Sequence, residues 1–115
     1  MRGIPKSRAE DTAQSSAALF AALGDQKRLW LVARLCHDGP ASITRLAAGA
    51  RITRQAVTKH LRVMEHAGLV RSSRRGRERV WQLEQHKLDE ARRYLNQISL
   101  QWDEALERLR ALVEA

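Results

Sequence analysis

Residues 53–83 read TRQAVTKHLRVMEHAGLVRSSRRGRERVWQL, and the spacing within this stretch sets the reading of the whole chain. Thr53 is a good helix N-cap, the residues after it are helix formers, and Gly68 is a good stop, which predicts a helix over 54–67. At about 100° per residue, Ala56, Val57, Leu61, Val63, Met64 and Ala67 share one side of that helix. Arg54, Gln55, Thr58, Lys59 and Arg62 share the other. One face is apolar and the opposite one is polar and cationic. Beyond Gly68, two extended segments, 69–74 and 78–83, flank the tip Arg75-Gly76-Arg77 in the pattern of a β-hairpin. Arg71, Arg74, Arg75, Arg77 and Arg79 crowd this hairpin, opposed within it by Glu78 alone.

Upstream, Ser42 caps a short helix containing Ile43, Leu46 and Ala47, which the sequence ends near Gly49. A short helix, a tight turn and a second helix with a polar outer row form the pattern of a DNA-reading helix-turn-helix. Gln55, Thr58, Lys59 and Arg62 fall at i, i+3, i+4 and i+7, so they can enter a major groove together. There Gln suits adenine, and Lys or Arg suits guanine. Thr53 and the free amides beside it suit a phosphate. The arginine-rich hairpin then reads as a wing that gathers phosphates.

Residues 13–23 form a first helix ending at Gly24. Asp25 caps a second, with Leu29, Val32, Leu35 and Cys36 as its apolar side, ending before Gly39 and Pro40. Cys36 in this pattern reads as a small buried hydrophobe in preference to a redox switch. Trp30 reads either as part of an interface or as the border of a ligand pocket. His60 falls on the apolar side of the recognition helix, supporting packing; His37 and His66 fall at helix ends on the surface. Trp81 reads as core. Residues 1–12 mix charge, Gly and Pro without periodicity and read as a flexible arm, leaving 13–115 as one domain.

From about His86 onward no Gly or Pro interrupts the chain. Leu88, Ala91, Leu95, Ile98, Trp102, Ala105, Leu109 and Leu112 recur in alternating steps of three and four. This predicts a long last helix on which Leu95, Ile98, Trp102, Ala105 and Leu109 form a dimer interface. The fold expected is mainly α with a small β-hairpin, a dimeric winged helix-turn-helix of order α-α-α-α-β-β-α.

The 21 Lys and Arg outnumber the 13 Asp and Glu, for a net charge of +8 in 115 residues. Such a field attracts polyanions, nucleic acid before an anionic membrane. No apolar run nears the ~20 residues that span a bilayer, and the first residues lack the apolar segment of a secretion signal. A single cysteine fits a reducing compartment. A cytoplasmic protein without membrane contact is expected. Phe and Tyr occur once each, too few for the stacking surfaces of single-strand and RNA readers. No phosphate loop, nucleophile motif or closed metal set points to an enzyme.

Residues 53–83, together with FAALGDQKRLWLVARL at 20–35, resemble the ArsR/SmtB family of repressors, the likeness running over about 18–113. It implies a homodimer paired through its first and last helices, with Leu19 of the first helix in the interface, repression from a pseudo-palindromic operator in double-stranded DNA, and often release by an effector. Metal-sensing members carry two cysteines in the helix before the recognition helix. Here Ser42 and Thr44 stand at those positions, and neutral hydroxyls are poor ligands for zinc. A second family site, on the last helix, is represented by His86 and Asp89 without its partner motif. The expectation is therefore no metal and no cofactor, with any effector of other chemistry. The competing reading is a winged-helix module that binds nucleic acid or a protein without operator specificity.

Overall fold

A computed structural model describes residues 8–114. Each expected cap is made by the residue named for it. The Asp25 carboxylate accepts from the backbone N–H of Lys27 and of Arg28 at 2.9 and 3.0 Å and starts α2 (Gln26–Asp38). Ser42 Oγ accepts from Arg45 N at 3.2 Å and starts α3 (Ile43–Ala50). Thr53 Oγ1 accepts from Ala56 N at 3.0 Å and starts α4 (Arg54–His66). Such caps satisfy helix-end amides that would otherwise need water.

The first helix, α1 (Arg8–Leu23), begins five residues ahead of the expected start at 13. It takes in 8–12 of the segment read as an arm; residues 1–7 lie outside the described residues. The hairpin is β2 (Val70–Arg75) and β3 (Glu78–Leu83), and a short strand that the sequence reading missed, β1 (Ala41–Ser42), completes an antiparallel sheet of order β1-β3-β2. Two residues carry no periodicity, which is why β1 was invisible until its partner was in place: Ala41 pairs with Trp81 and Ser42 with Val80. Gly68, at φ 78°, turns the chain out of α4 into β2, a conformation that glycine adopts without the Cβ penalty. The last helix, α5 (Gln85–Glu114), runs 30 residues, or about 45 Å.

Leu31 and Leu35 of α2, Leu46 of α3, Val57, Leu61 and Met64 of α4, and Trp81 of β3 meet in one core, with Leu19 and Ala22 of α1 closing it. Leu19 is thus buried within its own chain, at 2% exposure, and is not left over for a partner as the sequence reading had it. Two further expectations are corrected. Leu29 and Cys36 are exposed, because the buried face of α2 is centred on Leu31 and Leu35, roughly 120–140° around the helix from them. Val63 of α4, placed on the apolar side by angle, is 40% exposed beside Ala18, Ala21 and His66. Trp81 is fully buried, as expected. Trp30 is half-buried and packs on the core edge, with Arg34 over its ring at 5.8 Å to the centroid.

Leu35→Ala should therefore destabilise the fold by about 2–5 kcal/mol, whereas Leu29→Ala should cost about 1 kcal/mol or less. Urea unfolding of the two variants checks this; equal losses would mean that α2 is rotated from the orientation described.

Candidate nucleic-acid interface

The inner face of α4 is fixed by Val57, Leu61 and Met64, each with 0% exposure. This anchoring turns Arg54, Gln55, Lys59 and Arg62 outward, all exposed, with Thr58 half-buried between them. Thr58 Oγ1 donates back to the Arg54 carbonyl at 2.9 Å. Ile43 of α3 joins Arg54, Gln55 and Thr58 in lining an open cleft of about 510 Å³ along the start of α4.

The basic side chains of the hairpin divide into two sets. At its base, Arg71 Nε pairs with Glu84 Oε1 at 2.8 Å, and Glu84 also holds His86 Nδ1 at 3.1 Å. Gln82, opposite Arg71 in the ladder, faces the same guanidinium. Arg79 donates to Ser72 Oγ across the strands at 2.8 Å. Arg62 of α4 pairs with Glu65 at 3.2 Å and lies over the Trp81 ring at 5.7 Å, bridging helix and sheet. Toward the tip, Arg74, Arg75 and Arg77 are exposed around Gly76, whose φ of 64° makes the tight turn. Arg74 faces Arg79 directly across the ladder, an arrangement that repels in the free protein and that a bound anion would relieve. The sequence reading treated the five wing arginines alike; the structure ties Arg71 and Arg79 into the hairpin and leaves the tip arginines in solvent.

A polar junction that the sequence reading did not find lies behind α4. Arg28 Nε donates to the Ala22 carbonyl and its Nη1 lies 3.4 Å from His60 Nδ1, while Asp25 Oδ1 lies 4.0 Å from the same ring nitrogen. The Arg28 backbone N–H, with that of Lys27 and the Arg28 charge, holds the Asp25 carboxyl below its ordinary value. His60 is half-buried, so its ring joins α4 to the α1–α2 connection as well as filling space. Such a junction was not legible because Arg28 and His60 are 32 residues apart. Ser42, where metal-sensing members of the resembled family carry a thiolate, spends its oxygen as the cap of α3.

The rest of the predicted set lies on α5. Leu95, Ile98, Trp102 and Leu109 are 52%, 43%, 65% and 58% exposed, and Ala105 is half-buried. No helix among the described residues is long and apolar enough to cross a membrane.

This arrangement can be set beside known proteins. Residues 17–73 match a family model described as a helix-turn-helix domain. The HTH-type transcriptional regulator Rv2034 of Mycobacterium tuberculosis is 34% identical over 104 residues, 90% of this chain and 94% of that protein. An ArsR-like transcriptional regulator from Rhodococcus sp. RHA1 superposes with a TM-score of 0.80 at 31% identity, covering 89% of this chain and 95% of its own. The chain belongs to the ArsR family of helix-turn-helix transcriptional regulators. Its winged helix-turn-helix fold is shared at longer range by the homodimeric DNA-binding domain of Mb0332 from Mycobacterium bovis, with a TM-score of 0.65 at 20% identity over 94% of this chain and 95% of that one.

In this ArsR-family regulator the wing hangs from α4 and α5 through Glu84 and Arg62. Glu84→Gln should weaken the Arg71 ion pair and the His86 contact at the wing base. These are partly exposed contacts, each contributing about 0–1 kcal/mol, so global stability should change little while amide hydrogen exchange in β2 and β3 speeds up. Exchange rates unchanged across both strands would show that the ladder alone fixes the wing.

Proposed function

We propose that this regulator is a cytoplasmic repressor that binds a pseudo-palindromic operator in double-stranded DNA as a homodimer. The observation that carries the proposal is the division of α4: an inner face locked into the core and an outer face presenting Gln55, Lys59 and Arg54 together. Side chains on a rigid helix lose less freedom on entering a groove than side chains on a loop. In this reading Gln55, Thr58 and Lys59 face base edges, Arg62 joins them by exchanging its Glu65 partner for a base, and Thr53 and Arg54 meet the phosphate over the helix start. The wing arginines, Arg74, Arg75 and Arg77 foremost, with Arg71 and Arg79 at the hairpin's flanks, supply charge toward the backbone. Phosphate contacts position the protein and base contacts select the sequence.

The dimer is supported by what α5 leaves uncovered. From Leu95 onward the helix exposes Ile98, Trp102, Leu106, Leu109, Leu112 and Val113, which fall on one side at about 100° per residue. The molecule measures 66 × 45 × 20 Å with a radius of gyration of 18.9 Å, against about 13 Å for a compact domain near this length. A contiguous apolar stripe on a projecting helix exceeds what monomers usually leave in water. A second copy related by a two-fold axis would cover it and set two α4 helices about 34–36 Å apart, one helical turn of DNA. The homodimeric state of the Mb0332 domain is consistent with this reading. Because Leu19 is buried in its own chain, the proposed interface consists of Leu95, Ile98, Trp102, Ala105 and Leu109.

Two measurements test the proposal. Arg77→Ala should weaken all duplexes alike and reduce the logarithmic salt slope by about one contact, while Lys59→Ala or Gln55→Ala should cost about 1–3 kcal/mol mainly on the operator. Binding isotherms on operator and random duplexes separate the two behaviours, and equal losses on both for all three variants would defeat the division. Leu95→Asp or Ile98→Asp should yield a monomer by sedimentation that retains its helical circular dichroism and loses most operator affinity. A wild-type monomer at micromolar concentration that still holds one half-site tightly would refute the homodimer.

A further inference from the structure

Arg51 stands in the turn between α3 and α4 at φ 57° and ψ 32°, the one non-glycine with positive φ among the described residues. In this left-handed conformation an L-residue's Cβ crowds the following carbonyl oxygen, so helices that end this way usually do so with Gly or Asn. The nearby glycine is committed elsewhere. Gly49 faces Trp30, where an added Cβ would lie 3.1 Å from a ring carbon. The tight turn therefore falls to a long cationic residue with no conformational aptitude for it.

Among the described residues nothing explains that choice. A cation at the end of α3 would favour its last carbonyls, but Lys27 Nζ already donates to the Ala50 carbonyl at 3.3 Å. Arg51 is exposed, and among the described residues its side chain has neither a hydrogen bond nor an ion pair. Arg62, Arg71 and Arg79, by contrast, are each held by a neighbour. Arg51 lies two residues before the Thr53 cap, within about 7 Å of it along the chain. Arg54, exposed on the first turn, adds a second cation there.

We propose that Arg51 is a phosphate-binding residue of the DNA interface, gripping the backbone that passes the start of α4. The proposal rests on the reading of the outer α4 face as the duplex-binding surface and adds a contact to it. The guanidinium fork matches two phosphate oxygens at once. A conformation disfavoured in the free protein is then kept because the bound state uses the side chain it carries.

Arg51→Gly and Arg51→Asn both suit the left-handed turn and remove the charge; Arg51→Lys keeps the charge. Binding to a mixed-sequence duplex of roughly three helical turns, followed by anisotropy over a salt series, is compared with thermal unfolding. The Gly and Asn variants should bind on the order of fivefold more weakly, with the logarithmic salt slope reduced by about 0.9, and with a melting temperature equal to or above that of wild type. The Lys variant should retain the wild-type slope. Wild-type affinity and slope in the Gly and Asn variants would overturn the proposal, as would a loss of affinity in all three that tracks a falling melting temperature. Absence of duplex binding by the wild type itself would overturn the reading of the α4 face on which the proposal stands.

Discussion

Trp81 lies fully buried on the central strand of the sheet, paired with Ala41 on one side and Ser72 on the other, and Arg62 of α4 lies over its ring. The geometry of the DNA-binding unit depends on this contact. Its indole is large enough to join the sheet to the helical core, so the wing cannot turn independently of the recognition helix. The β1 pairing reinforces the link, because Ser42 both pairs with Val80 and caps α3. Helix, turn, helix and the base of the wing are thereby packed against one another, an arrangement that helps place several side chains against a duplex without a large ordering cost.

Charge is distributed around this body in two roles. Arg28, Arg62, Arg71 and Arg79 bind neighbouring elements together through carbonyls, a carboxylate, a hydroxyl or a ring face. Arg54, Arg74, Arg75 and Arg77 stand in solvent at the start of α4 and at the wing tip. A guanidinium can do either, since it is always charged and has five donors. Which role it takes is decided by whether a partner lies within reach. The net charge of +8 already discounts the paired cations, and the grouping of exposed arginines at the start of α4 and at the wing tip concentrates their field.

The long helix is a different kind of element. Its first turns pack on α1, with Ala91 buried and Tyr94 beside Phe20 at a centroid distance of 6.1 Å. Beyond Leu95 the same stripe continues with Trp102, Leu109, Leu112 and Val113 more than half exposed. An amphipathic helix of this length gains most of its stability from packing its apolar side. The chain thus combines a folded helix-turn-helix and wing with a long helix whose apolar side is largely exposed.

Caps, periodicity and turn residues were legible in the sequence because they are local. Asp25, Ser42 and Thr53 start the helices named for them, Gly76 closes the hairpin, and the α4 pattern separates Val57, Leu61 and Met64 from Gln55 and Lys59. Family membership followed from those patterns in combination. What the sequence could not determine depends on contacts between distant residues. β1 exists because β3 pairs with it. Leu29 and Cys36 face solvent because the core sets the rotation of α2, and an apolar residue carries no label for which neighbour will cover it. Leu19 belongs to its own core for the same reason. Arg71 is tied down by Glu84 while Arg77 stands exposed at the tip, a difference set by folding distance and not by residue type. Periodicity states which faces of a helix differ; only tertiary packing states where each face points and which charges meet a partner.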